Sequence, residues 1–383
     1  MNIESIQLSV FETTRVTNQF TLTEKARGAS RRWVRRHHAS FSGELHVMHV
    51  RTDEGIEGVC TVGDARYLTM RRQDLEELRI LAVGEDPFDR ERLFGKLDAA
   101  TRGMFTKPGW YGAFDNCLWD IAGKAAGLPV YALTGRARHR CPAYYNISGG
   151  TLPDREAAVE SARAAVEQGF VAVKDHFRDS ASHNIALLRA VREGVGPQID
   201  VLHDAALAGY SFEDALRVGH VLDELQYGWY EEPLLDAEQA SLRRLAQALE
   251  VPIVAPESMM HDLHLSAQWL TSGAVDYVRA NARHGTTGVL KLAHLAELHG
   301  ARIELNGPGG LFGLVHAHLV CAIRNTGYYE YFPSGTRDKA GVEIMGLLNP
   351  PVPEDGTIAP PDAPGWGAEW DQGYFEKKRV ALL

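Results

Sequence analysis

The chain has 383 residues, is 45% hydrophobic and 23% charged, and carries a formal net charge of -10. That length suits a barrel plus a smaller domain better than one ordinary compact unit. The mixed-sign, net-acidic composition excludes the basic excess that neutralises a nucleic-acid backbone or holds an anionic membrane. Cys60, Cys117, Cys141 and Cys321 stand singly with no CxxC pair, so neither a disulfide framework nor a zinc knuckle is expected. The opening MNIESIQLSVFETT lacks the apolar stretch of a signal peptide, and no run of about 18 apolar residues occurs. A cytoplasmic protein with no membrane partner is expected.

Residues 3–10 and 44–50 alternate apolar and polar, and the second run enters the turn TDEGIEG, the pattern of an antiparallel sheet. Between them, TNQFTLTEKARGASRRWVRRHHASFSG crowds basic residues into a stretch of little apolar periodicity. It reads either as a solvated loop or as a substrate lid over about 15–40, in which side chains such as Arg27 and His37 grip an anion. Helical patterns fill 67–126, where Ala113, Cys117, Leu118 and Ile121 recur at helical spacing before Gly127 and Pro129.

From about 140 a rhythm sets in. Short apolar runs at AYYNIS, FVAVKDH, IDVLHDA, YGWYEEP, VPIVAPES, VDYVRAN, ARIELNG and YYEYF alternate with segments of helical composition. The period of about 25–30 residues is that of successive βα units. The fold class is therefore α/β: a closed parallel barrel behind an N-terminal α+β capping domain, with an open doubly wound sheet as the alternative on strand count alone. The expected division is 1–138 for the cap with its lid, 139–350 for the barrel, and a tail 351–383 that returns to the cap.

Lys174, Asp204, Glu231, Glu257, Asn281 and Glu330 all fall at or just past the C-terminal end of an apolar run. Barrel enzymes build their sites on that face. Asp204, Glu231 and Glu257, on consecutive strands, would converge and repel one another; a hard divalent cation, Mg²⁺ or Mn²⁺, resolves the repulsion.

The segments LHDAA, YEEP and APES resemble the metal-binding strand ends of the enolase superfamily, in its mandelate racemase and muconate lactonizing branch. The resemblance runs from TDEGIEG through LWDIAGKAAGLPVYALTG and VKDH to PGWGAEWD. It implies a (β/α)7β modified TIM barrel and a homo-oligomer, with Mg²⁺ on Asp204, Glu231 and Glu257. It also selects Glu231 over Glu232 within the EEP motif. The implied chemistry is removal of a proton α to a carboxylate.

Family members commonly carry Lys-x-Lys on the second barrel strand, whereas this chain reads Lys174, Asp175, His176. Alternate residues share a strand face, so His176 is expected to move the proton with Lys174 as its electrostatic partner, the reverse being the alternative. Many racemases and dehydratases of the resembling branch use a His from the seventh strand, oriented by an Asp from the sixth; these positions fall here on or near Gly310 and on Asn281. Without that dyad the expected reaction is dehydration of a polyhydroxy sugar acid. An epimerase, racemase or cycloisomerase is the runner-up, and an inactive metal-dependent sugar-acid binder is the third reading. Glu330 is expected to face the substrate carboxylate, and Asn281 a substrate hydroxyl.

Overall fold

A computed structural model describes residues 1–27, 30–63, 69–101, 110–147, 154–206, 208–257, 259, 262–307, 310–333 and 340–383. The side chains of 15–41, 101, 110 and 340 lie outside that description. The alternating N-terminal residues form β1 (Ile3–Arg27) and β2 (Ser30–Thr52), followed by β3 (Glu57–Thr61). Ile6, Leu8, Met48 and Val50 point inward from this sheet, as their period of two requires. The basic segment differs from its expected form as a solvated loop. Its backbone continues the antiparallel ladder, with Thr17 opposite Ala39 and Arg27 opposite Ser30. The Thr, Val, Phe and Trp residues interspersed among its charges give it the strand preference that apolar periodicity alone did not reveal.

Helices α1 (Arg72–Ala82), α2 (Arg90–Thr101), α3 (Trp110–Ala126) and α4 (Val130–Leu133) complete the N-terminal domain. The barrel strands are β4 (Cys141–Asn146), β5 (Ala172–Asp175), β6 (Asp200–Asp204), β7 (Trp229–Glu231), β8 (Ile253–Ala255), β9 (Tyr277–Ala280), β10 (Arg302–Leu305) and β11 (Tyr329–Tyr331). Seven helices alternate with them: α5 (Arg155–Glu167), α6 (Ala181–Val195), α7 (Phe212–Glu224), α8 (Gln239–Ala248), α9 (Leu263–Thr271), α10 (Thr286–Leu298) and α11 (Gly310–Ala322). Their starts are set locally: Asp154, Ser180, Ser211 and Asp262 cap α5, α6, α7 and α9 by accepting backbone N–H bonds.

The parallel sheet runs β10-β9-β8-β7-β6-β5-β4-β11. The segment leading into β11 is tied to β10 by other bonds: Ile303 N–H donates to Asn325 O at 3.1 Å, and Gly327 N–H to Glu304 Oε1 at 3.0 Å. A π-helical turn (Ala340–Met345), β12 (Thr357–Ile358), α12 (Gln372–Lys378) and β13 (Arg379–Leu382) follow, and β13 pairs antiparallel with β1. Among the described residues no helix is long and apolar enough to cross a membrane. All four cysteines are free and buried.

Helix α3 joins the N-terminal domain to the rim of the barrel. A Cβ at Gly112 would stand 2.2 Å from the Arg283 carbonyl oxygen, so glycine permits this approach. Asn116 Nδ2 donates to Ala282 O at 3.0 Å and its Oδ1 accepts from Thr286 N–H at 2.9 Å. Asp115 accepts from the Thr287 N–H and hydroxyl at 2.9 and 2.7 Å. These bonds hold the turn that follows β9.

Burial pushes the Asp115 carboxyl up to about 6, against the two Thr287 bonds. The native chain thus keeps a proton there that the unfolded chain, titrating near 3.8, has already lost. The contribution of this group to stability therefore falls as pH rises from about 4 to about 6, by on the order of 2–3 kcal/mol. Urea unfolding of the wild type and Asp115→Asn at both ends of that window is expected to show the fall in the wild type and a smaller one in the variant. Equal slopes would refute this origin.

Candidate active site

The barrel interior is layered by the strand period of two. Tyr144, Ala172, Leu202, Trp229 and Val254 form an apolar layer, with Tyr277 and Tyr328 packed against it. Two residues further along the same strands stand Asn146, Lys174, Asp204, Glu231, Arg279 and Glu330, all buried. An apolar floor thus carries a charged layer at the C-terminal ends of the strands.

Lys174 Nζ donates to Glu231 Oε2 at 2.9 Å and lies 2.8 Å from Glu330 Oε1 and 3.6 Å from Asp204 Oδ2. Arg279 Nε donates to Glu231 Oε1 at 2.6 Å and lies 3.7 Å from Glu257 Oε2. Its Nη2 reaches Tyr144 Oη at 3.0 Å and Glu330 Oε2 at 3.4 Å. Arg279 is the functional residue the sequence reading missed. Its signal was present in VRAN, since it precedes Asn281 by two positions and shares that residue's strand face.

His176 Nε2 stands 3.0 Å from Asp204 Oδ2, and its ring centroid is 5.9 Å from that of Phe332. Burial lowers the imidazole below its usual range, more than Asp204 raises it. Burial also opposes the Lys174 ammonium, but Glu231 and Glu330 outweigh it and hold the group well above the usual range. At neutral pH the histidine is neutral and the lysine charged. Neighbouring His203 occupies the other strand face, buried, with Nδ1 2.6 Å from Asp175 Oδ1 and its ring against Tyr230.

The acidic groups strain against burial and one another. Burial, with Asp204 and Glu257 adding repulsion, raises Glu231 above its usual range, against Arg279 and Lys174. Burial and the same acidic neighbours raise Glu232 well above its usual range. Its backbone sits at φ 44°, a left-handed conformation uncommon outside glycine. For Asp204 burial is opposed successfully: His176 and Lys174 hold it well below the usual range. Hard oxygen donors in acid excess fit a hard divalent cation. Among the described residues, however, no three His, Cys, Asp or Glu side chains converge on one point, because Lys174, Arg279 and His176 engage the carboxylates.

Asn281 and Glu330 are each engaged by neighbouring groups of the chain. Asn281 Nδ2 donates to Asn306 Oδ1, and its Oδ1 accepts from Arg283 N–H at 2.8 Å. Glu330 faces Lys174 and Arg279 and accepts from Gly307 N–H. The position facing Asn281 from the seventh strand belongs to Asn306, immediately past β10, while Gly310 begins α11. This corrects the Gly310 alignment; the proline–glycine run made the strand end ambiguous. The side chains of Arg27 and His37 lie outside the described residues. A cavity of about 550 Å³ elsewhere, lined by His49, Lys124 and Trp370, contains none of the strand-end acids.

A buried layer of acids and bases at the C-terminal strand ends of a (β/α)7β barrel, joined through α3 to a separate N-terminal domain, defines the class of protein. The enolase C-terminal domain-like family matches residues 157–374, and the mandelate racemase / muconate lactonizing enzyme N-terminal domain matches 33–135. The chain belongs to the enolase superfamily, in its mandelate racemase and muconate lactonizing branch. A D-galactonate dehydratase family member of Oceanicola granulosus is 27% identical over 382 residues, covering 85% of this chain and 89% of that protein. The arabinonate dehydratase of Saccharolobus solfataricus is 29% identical over 356 residues, covering 87% and 90%. The crystal structure of D-glucarate dehydratase from Agrobacterium tumefaciens complexed with magnesium superposes with a TM-score of 0.81, at 29% identity and 100% coverage of both chains.

Proposed function

We propose that this protein is a carbon–oxygen hydro-lyase that dehydrates a polyhydroxy sugar acid. The single observation carrying the reading is His176, whose Nε2 stands 3.0 Å from Asp204 in an acidic strand-end cluster, within a chain whose relatives are named dehydratases of sugar acids. Asp204, Glu231 and Glu257 would hold Mg²⁺, with Mn²⁺ as the alternative. When bound, that cation supplies positive charge to the substrate carboxylate and to the enediolate that α-proton loss creates.

The remaining steps belong to the chain. With Nε2–H donating to Asp204 Oδ2, the neutral His176 ring carries its lone pair on Nδ1, the atom that takes the α-proton. The resulting imidazolium then donates a proton to the departing hydroxyl, which leaves as water. Lys174 remains an ammonium and supplies field rather than base, since Glu231 and Glu330 hold its proton. The Asn281–Asn306 pair offers no second base, which favours elimination over two-base racemisation.

The test is conversion of a panel of acid sugars with Mg²⁺, assayed for 2-keto-3-deoxy acids. Product from at least one member is expected, and no conversion across aldonic and aldaric acids would sink the reading. Exchange of the α-proton with solvent deuterium without water loss would instead favour the isomerase.

A further inference from the structure

The two cations inside the barrel are both engaged by protein carboxylates: Lys174 by Glu231 and Glu330, Arg279 by Glu231 and Glu330. Arg178 is placed differently. It lies two positions past His176, beyond the end of β5, half-buried, and its buried Nε has no hydrogen-bond partner among the described residues. The intervening residue fixes its direction. Phe177 is buried, its N–H donates to Asp175 Oδ1 at 3.1 Å, and its carbonyl accepts from Asn184 Nδ2 at 3.0 Å. Its ring packs 6.4 Å from that of His203, on the outer side of the strands. His176 and Arg178 flank it, and the Arg178 charge acts on both His176 and Asp204.

A buried guanidinium N–H left unsatisfied is costly, and a carboxylate satisfies it best because it matches the charge and accepts two parallel bonds. A hydroxyl accepts one bond and leaves the charge unmatched. The carboxylate next to the reacting carbon is not that partner. Its α-proton must lie at His176, so this carboxylate extends toward the acidic pit and the cation proposed there. The far end of the substrate then points outward along the chain leaving β5. Two residues of extended chain span roughly 7 Å, comparable to the distance from C2 to the terminal carboxylate of a six-carbon acid.

We infer that Arg178 binds a second carboxylate at the distal end of the substrate, so that the preferred substrate is a sugar diacid, an aldarate, rather than an aldonate. This rests on the dehydratase reading above and narrows it. Lysine at the position would keep the charge but lose the planar fork.

The experiment compares kcat/KM for hexaric and hexonic acids of matched C2–C5 configuration, with Mg²⁺, in the wild type, Arg178→Met and Arg178→Lys. The wild type is expected to favour the diacid at least about tenfold. Arg178→Met is expected to lower the diacid-to-monoacid ratio by roughly 10- to 100-fold, mainly through KM, the range for losing a charge-assisted hydrogen bond. Arg178→Lys should recover part of it. A ratio unchanged in Arg178→Met, or a wild type that prefers monoacids, overturns the inference while leaving dehydration intact. Failure of the dehydratase reading looks different: no acid sugar is converted, and calorimetric affinities of both acids for the wild type and Arg178→Met still decide the diacid assignment.

Discussion

Replacing Arg279 with Met is expected to destabilise the protein by roughly 3–5 kcal/mol, the cost of removing one partner from a buried ionic cluster. The guanidinium is fully buried, 2.6 Å from Glu231 Oε1, 3.4 Å from Glu330 Oε2 and 3.7 Å from Glu257 Oε2. Glu231 is itself inaccessible, and burial already raises its carboxyl above the usual range with Arg279 in place. Methionine fills a similar volume but leaves that carboxylate with only Lys174, so Glu231 must take a proton or lose its surroundings. Urea unfolding at neutral pH measures the loss. The double variant Arg279→Met/Glu231→Gln should recover part of it, because the isolated charge goes with the second change. Adding Mg²⁺ should raise the melting temperature of Arg279→Met more than that of the wild type if the freed carboxylates hold the cation. A loss below about 1 kcal/mol would show that the cluster does not depend on this arginine.

Why this arginine escaped the sequence reading, while the carboxylates did not, is a matter of phase and of sign. Asp204, Glu231 and Glu330 end apolar runs, and so does Lys174; a strand period of two then predicts that they share an interior layer. That layer is present, and with it the alternation of strands and helices that made the barrel legible. Arg279 sits within its run, where a charge reads as an interruption of a buried strand. Only the carboxylates of Glu231, Glu257 and Glu330, meeting it from other strands, make it a counter-ion, and such meetings depend on sheet curvature and register. Asn306 was obscured for a related reason: LNGPGGLF offers several ends for one short strand, and its pairing with Asn281 fixes the right one. The basic N-terminal segment was legible as charge but not as backbone, since a ladder between two polar strands leaves no apolar alternation to read.

Replacing His176 with Ala is expected to lower kcat by roughly 10²- to 10⁴-fold, the range for losing a positioned general base, with KM changing little. The imidazole is the group at the strand ends that burial leaves uncharged at neutral pH, whereas Lys174 is held as an ammonium by Glu231 and Glu330. The side chain is 9% exposed and its Nε2 stands 3.0 Å from Asp204 Oδ2, so its removal should cost far less stability than loss of Arg279. Lys174→Met provides the contrast. It removes a cation that three carboxylates face, so activity and stability should fall together. Wash-in of solvent deuterium at the α-carbon separates the two: His176→Ala should abolish exchange as well as water loss while keeping a near-native melting temperature. Exchange persisting at the wild-type rate in His176→Ala, but lost in a folded Lys174→Met, would transfer the base to Lys174 and overturn the assignment.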